Sequence, residues 1–136
     1  YGFKVKSKEV GVCKDVIPAF DSMSGSIDSL YIPHCAALEP AIDQLVNSAV
    51  KAKVPVITQS PGLAEMGALM ALVADPVEQG QLIGVHAIQV LNGQKAFTLP
   101  VRTPKKVAFV VNLKSANAMG LKVPIGTLEN ATRVIK

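Results

Sequence analysis

Short β-branched runs that alternate with amphipathic stretches constrain this chain more than any other feature, since each such run must be buried between neighbours that cover it. Val54 to Thr58 (VPVIT) is the clearest: brief, β-branched and stopped by Gln59-Ser60-Pro61-Gly62, it predicts a central strand. Ile27 to Pro33 (IDSLYIP) predicts a strand over 28–33, and VAFVV predicts one over 107–111. Ala68 to Ala74 (ALMALVA) lies between Gly67 and Asp75-Pro76, a length that favours a strand over a helix. Phe3, Val5 and Ser7 alternate with Lys4, Lys6 and Lys8, which predicts a further strand over 3–9 with one face in water.

Between these runs the period changes. Leu38, Ala41, Ile42, Leu45, Val46, Ala49 and Val50 recur on one helical face, with Asp43, Gln44, Asn47 and Lys51 opposite. Val12, Val16, Ile17 and Phe20 suggest a helix either short or kinked at Pro18, Gln59 to Gly62 a turn or helix start, and Leu113 to Met119 a short helix stopped by Gly120. Gly80 to Leu91 reads as a helix apolar nearly all round, ended by Asn92-Gly93, and Leu99 to Pro104 as an extended connector. The resulting order predicts an α/β fold, a mainly parallel sheet flanked by helices.

Composition narrows the function classes. With 136 residues, 49% hydrophobic and 18% charged, the chain has enough apolar material for one α/β core, and its apolar stretches are broken too often to span a membrane. Disorder is excluded, and a soluble globular chain is expected. It opens inside a strand pattern, so that either a leader has been removed or the chain is a fragment. The net charge of +4 is spread out, with Lys105-Lys106 an isolated pair and aromatics only 4%, which argues for solvated faces and against a nucleic-acid partner. Cys13 and Cys35 lack metal-ligand spacing, and with His34 and His86 far apart no metal site is expected; the pair allows a disulfide as well as two free thiols.

In open parallel sheets small ligands lie at the carboxyl ends of strands. Three such ends are readable, and they make His34, Cys35, Gln59, Ser60 and Asp75 the candidate ligand-binding residues. Hydroxyl, amide and a carboxylate suit a small polar or zwitterionic molecule, with Asp75 facing an ammonium. Each has a plainer reading: Gln59 and Ser60 as turn or capping residues, and Asp75 as a helix N-cap before Pro76. His34 beside Cys35 invites a nucleophile-and-base pair, but neighbours in a strand or loop point apart and no orienting acid is identifiable, so no catalytic residue is assigned. Cys13 fits a buried small hydrophobe, and His86 the exposed side of its helix. Gly80 and Gly84 fit close helix packing, because no phosphate-binding glycine motif occurs and no cofactor is implied.

Four stretches together carry a resemblance: IDSLYIPHCAALEPAI (27–42), KAKVPVITQSPGLAEMGALMAL (51–72), DPVEQGQLIGVHAIQVLNGQKAFTLPV (75–101) and PKKVAFVVNLKSANAMGLKVP (104–124). The chain resembles the substrate-binding proteins of ABC transporters, in the branch of the type I periplasmic-binding fold that includes predicted tryptophan and tyrosine binders. The resemblance implies two lobes with ligand clamped between them, a permease partner, and a periplasmic or otherwise extracytoplasmic location. It assigns residues 1–74 to most of the second lobe and 75–136 to the return crossing, whose long helix and last strand would pack on the first lobe. It therefore implies an incomplete binding protein, with self-association as the substitute for the missing lobe. The family usually carries a Thr-Asp pair where this chain has His34-Cys35, which leaves the ligand open. Two alternatives of other classes are an effector domain of a sugar-responsive repressor, which needs an upstream helix-turn-helix absent from this chain, and a small flavodoxin-like enzyme.

Overall fold

The structure, a computed structural model, describes residues 2–136. After a single turn of 3-10 helix over Cys13–Asp15, helix α1 runs Val16–Ser24 and strand β1 Leu30–Ile32. A 3-10 segment over Ala36–Ala41 feeds α2 (Ile42–Lys51), followed by β2 (Val56–Thr58), α3 (Pro61–Glu65), β3 (Met70–Ala74) and α4 (Pro76–Leu91). The chain closes with a 3-10 turn over Ala96–Thr98, β4 (Val107–Asn112), α5 (Leu113–Met119), α6 (Ile125–Glu129) and β5 (Arg133–Ile135). The sheet has five strands in the order β1-β2-β3-β4-β5. The pairings β1-β2, β2-β3 and β4-β5 are parallel, while β3 and β4 run antiparallel with Met70 opposite Val111.

Local physics explains most element boundaries. Pro18 falls in the first turn of α1, where its missing N–H has no intrahelical partner to lose, and α1 forms as a short helix of 9 residues. Pro40 has the opposite effect: it and the restricted residue before it hold the chain in 3-10 form until Ile42, later than the apolar pattern alone would start the helix. Gly67 sits at φ +123 at the exit of α3, and a side chain there would come within 3.3 Å of Val46, so only glycine lets α3 turn this tightly onto α2.

The core lies where α1, α2, β1 and β2 meet, around Phe20, Ile32, Leu45, Val46 and Val56. Smaller clusters join Ala64, Ala71 and Val110, and Leu69, Ala116 and Met119. Tyr31 and Ile57, paired across β1 and β2, remain 54% and 39% exposed, so the sheet face opposite the main core is bare at that end. A parallel sheet is ordinarily covered on both faces.

Two expectations need correction. Residues 3–9 form no strand: Phe3 and Val5 are exposed, and Lys6 and Lys8 reach the end of α1 at the Ser26 carbonyl and the Ser22 hydroxyl instead of a neighbouring strand. Alternation alone does not place these residues on the sheet, although β1 leaves one edge of it open. The strand predicted over 107–111 enters this sheet as β4, beside β3. Gly80 and Gly84 face open space, because no residue of α4 is buried. Lastly, α6 and β5 were not foreseen; both are short and follow a proline-interrupted stretch with no strong period.

Replacing Ile32, which is 1% exposed, with Ala is expected to cost about 2–5 kcal/mol in urea denaturation. Ile83→Ala on α4, at a residue 68% exposed, should shift stability by no more than about 0.5 kcal/mol.

Candidate functional site

Because β1, β2 and β3 are parallel, their carboxyl ends share one edge of the sheet. A small cavity of about 180 Å³ opens there, between the segment after β1 and helix α3. Pro33, His34 and Cys35 form one wall, Glu39 and Ile42 a second, and Ser60, Gly62, Leu63 and Met66 the third. Leu63 is buried and Ile42 half-buried, giving an apolar floor beneath a rim of imidazole, thiol, carboxylate and hydroxyl. Such a lining suits a small molecule with an apolar body and a polar head.

Thr58 holds the two walls in register. Its side chain, 1% exposed, donates from Oγ1 to the carbonyl of Ile32 at 3.0 Å and accepts the N–H of Ser60 at 3.1 Å. One hydroxyl thus ties the end of β1 to the turn that opens α3. Both backbone groups would otherwise be unpaired near the core, which explains a polar residue at the end of an apolar strand.

Of the five predicted residues, the structure brings His34, Cys35 and Ser60 together around the cavity. Gln59 is exposed and outside it. Asp75 lies on the same sheet edge, at the end of β3, but does not line the cavity, and its carboxylate is engaged as the N-cap of α4, accepting the N–H of Glu78 at 2.7 Å. Sequence reading missed Glu39, Ile42, Leu63 and Met66; Ile42 reads as part of an apolar helical face, the other three carry no signal, and only the folded chain gathers them at one cavity. Cys13 and Cys35 are free thiols, and Cys13 is partly buried against the main core. Among the described residues no cluster of His, Cys, Asp and Glu could hold a metal ion, and no helix is long and apolar enough to cross a membrane.

A second, wider groove of about 690 Å³ lies away from the strand ends, between α4 and residues 96–101, with Ile83, Val90, Leu91, Leu99 and Val101 along it. His86 also lines it, half-buried, with Nε2 shielded and unpartnered, where the sequence pattern had placed it on the exposed side. The groove is almost wholly apolar and open, the character of surface left uncovered rather than of a recognition site.

The sequence pattern of the ABC transporter substrate binding protein family matches residues 1–135. A curated tyrosine-binding protein of Clostridioides difficile is 27% identical over 120 residues, which make up 88% of this chain and 35% of that protein. Among solved structures, an ABC domain in complex with L-Trp from Streptococcus pneumonia superposes with a TM-score of 0.76 at 25% identity, over 93% of this chain and 44% of that one. The ligand-free, open structure of a substrate binding protein with adhesive properties from Clostridium difficile gives 0.72 at 30% identity, over 99% and 45%. A conserved domain protein from Vibrio cholerae gives 0.77 at 25%, over 90% and 42%. The chain thus spans less than half the length of each of these relatives.

Thr58→Val is expected to leave the Ile32 carbonyl and Ser60 N–H unsatisfied and to cost about 1–3 kcal/mol. Faster hydrogen exchange at Ser60, with little change in α1, would locate the effect at the cavity wall.

Proposed function

Because the chain belongs to the ABC transporter substrate binding protein family, we propose that it forms part of a protein that captures a small molecule in a cleft between lobes and delivers it to a membrane permease outside the cytoplasm. The observation that carries the reading is the family match across residues 1–135, which falls on a fold whose parallel strands end at a cavity with an apolar floor and polar rim. A ligand of the aromatic amino acid class is supported by relatives described as tyrosine-binding and as complexed with L-Trp. His34, Cys35 and Ser60 contribute contacts at the cavity; Gln59 and Asp75 contribute from the same sheet edge once ligand and the first lobe are in place. The family and these relatives are substrate-binding proteins rather than enzymes.

In this reading residues 1–74 belong to the second lobe and the chain from Asp75 onward begins the return crossing, with β4 folding back beside β3. The bare faces follow from it. Ile83, Ile88, Leu91, Phe97 and Val101 stand 60% to 95% exposed, a surface suited to another lobe.

The test is a thermal-shift comparison on protein that contains both lobes. Tyrosine or tryptophan should raise the melting temperature, with a stabilisation of about 2.7 kcal/mol at a concentration one hundred times Kd, while sugars and nucleosides leave it unchanged. No shift with any aromatic amino acid would overturn the ligand class. The 136-residue chain alone is expected to scatter light as a dimer or larger species through the α4 face. A stable monomer at high concentration would count against that face as an interlobe surface.

A further inference from the structure

Residues 75–106 leave the sheet at the end of β3 and re-enter it at the start of β4, and α4, the body of this excursion, contains no buried residue. The excursion is therefore held at its stem rather than along its length. Four hydrogen bonds converge there. The N–H of Asp75 donates to the carbonyl of Lys106 at 3.0 Å, and the Asp75 carboxylate accepts the N–H of Glu78 at 2.7 Å. Glu78 in turn accepts two backbone N–H groups on a single oxygen, Oε2, from Lys106 at 2.7 Å and from Lys105 at 2.9 Å.

We propose that Glu78 is a positioning residue whose carboxylate clasps the outgoing and returning strands of this stem, and so sets the angle at which α4 stands to the sheet. Without it the two strands would be joined at the stem by one backbone bond, a point about which the excursion can pivot. Two N–H donors on one ionised oxygen add a second, charge-assisted anchor at Glu78, in the first turn of α4. The same donors, Lys106 first and Lys105 second, hold the Glu78 carboxyl below the ordinary glutamate range, with the Lys106 charge assisting and partial burial and the Asp75 charge opposing. A depressed folded-state value means that the clasp is fully formed above the ordinary glutamate value and is lost as pH falls through the lowered one. Its consequence for ligand capture rests on the proposed function: a fixed angle presents the apolar face of α4 to the other lobe in one orientation.

The clasp is tested by NMR on the full chain without ligand, comparing wild type with E78Q and E78A. In wild type the Lys105 and Lys106 amide signals should titrate together below the ordinary glutamate range, and in E78Q that titration should vanish. In E78A, residual dipolar couplings should show α4 reoriented or averaged relative to an unchanged sheet, with exchange at the two lysine amides faster by roughly three- to tenfold. Unaltered α4 couplings in E78A, or wild-type amides that do not titrate, would overturn the proposal. If E78A does not fold, the wild-type and E78Q titrations decide it. No ligand enters the measurement, so failure to bind aromatic amino acids would sink the proposed function and leave the clasp standing, while unaltered couplings would do the reverse.

Discussion

The buried amide of Asn112 is the contact through which the carboxyl-terminal third of the chain locks onto the rest. At 3% exposure it stands where β4 becomes α5, and its backbone N–H donates to the Leu69 carbonyl at 2.9 Å. Its side chain donates from Nδ2 to the Ala64 carbonyl at 2.7 Å and accepts the N–H of Ser115 at 2.9 Å. One residue thereby extends the β3–β4 pairing, satisfies a carbonyl of α3 and caps α5. An apolar residue there would leave a carbonyl and an N–H unpaired in the interior, and neither could reach water.

That lock fixes how the excursion over 75–106 closes, and the closure in turn decides the direction of β4. The bond between Asp75 and Lys106 shows that the chain departs and returns at the same sheet edge. A strand that re-enters at the edge from which its neighbour left must run antiparallel to it, whatever its composition. β1, β2 and β3, linked by crossovers that carry the chain back to the opposite edge, deliver their carboxyl ends to one edge, while β4 and β5 deliver theirs to the other. The cavity lined by His34, Cys35 and Ser60 exists because of that shared edge.

The same topology leaves apolar surface in two places. On one face of the sheet Tyr31 and Ile57 lie side by side without a covering helix, and along α4 the aliphatic side chains point outward nearly all round. In the function proposed above both surfaces would face another lobe, and the chain spans less than half the length of the relatives it matches. The N-terminal stretch around Phe3 and Val5 belongs with them, a strand pattern without a strand to join.

The sequence by itself determined the elements whose signals are local. The period of Leu38 to Val50, the β-branched run ending at Thr58, and the span Leu113 to Met119 before Gly120 all reappear as the helix or strand their spacing predicts, since backbone propensity and side-chain alternation act within a few residues. The N-cap at Asp75 was equally legible, being a carboxylate one residue before a helix-starting proline. What only the tertiary structure decided is everything that depends on a partner distant in the chain. Residues 3–9 carry a strand's alternation but pair with no strand; β4 carries a parallel strand's composition but an antiparallel direction; Glu39 and Met66, far apart in the chain, become neighbours only around the cavity. The physical reason is common to all three. Hydrogen-bond ladders and pockets are made between segments, and a pattern read along one segment carries no record of what lies across from it.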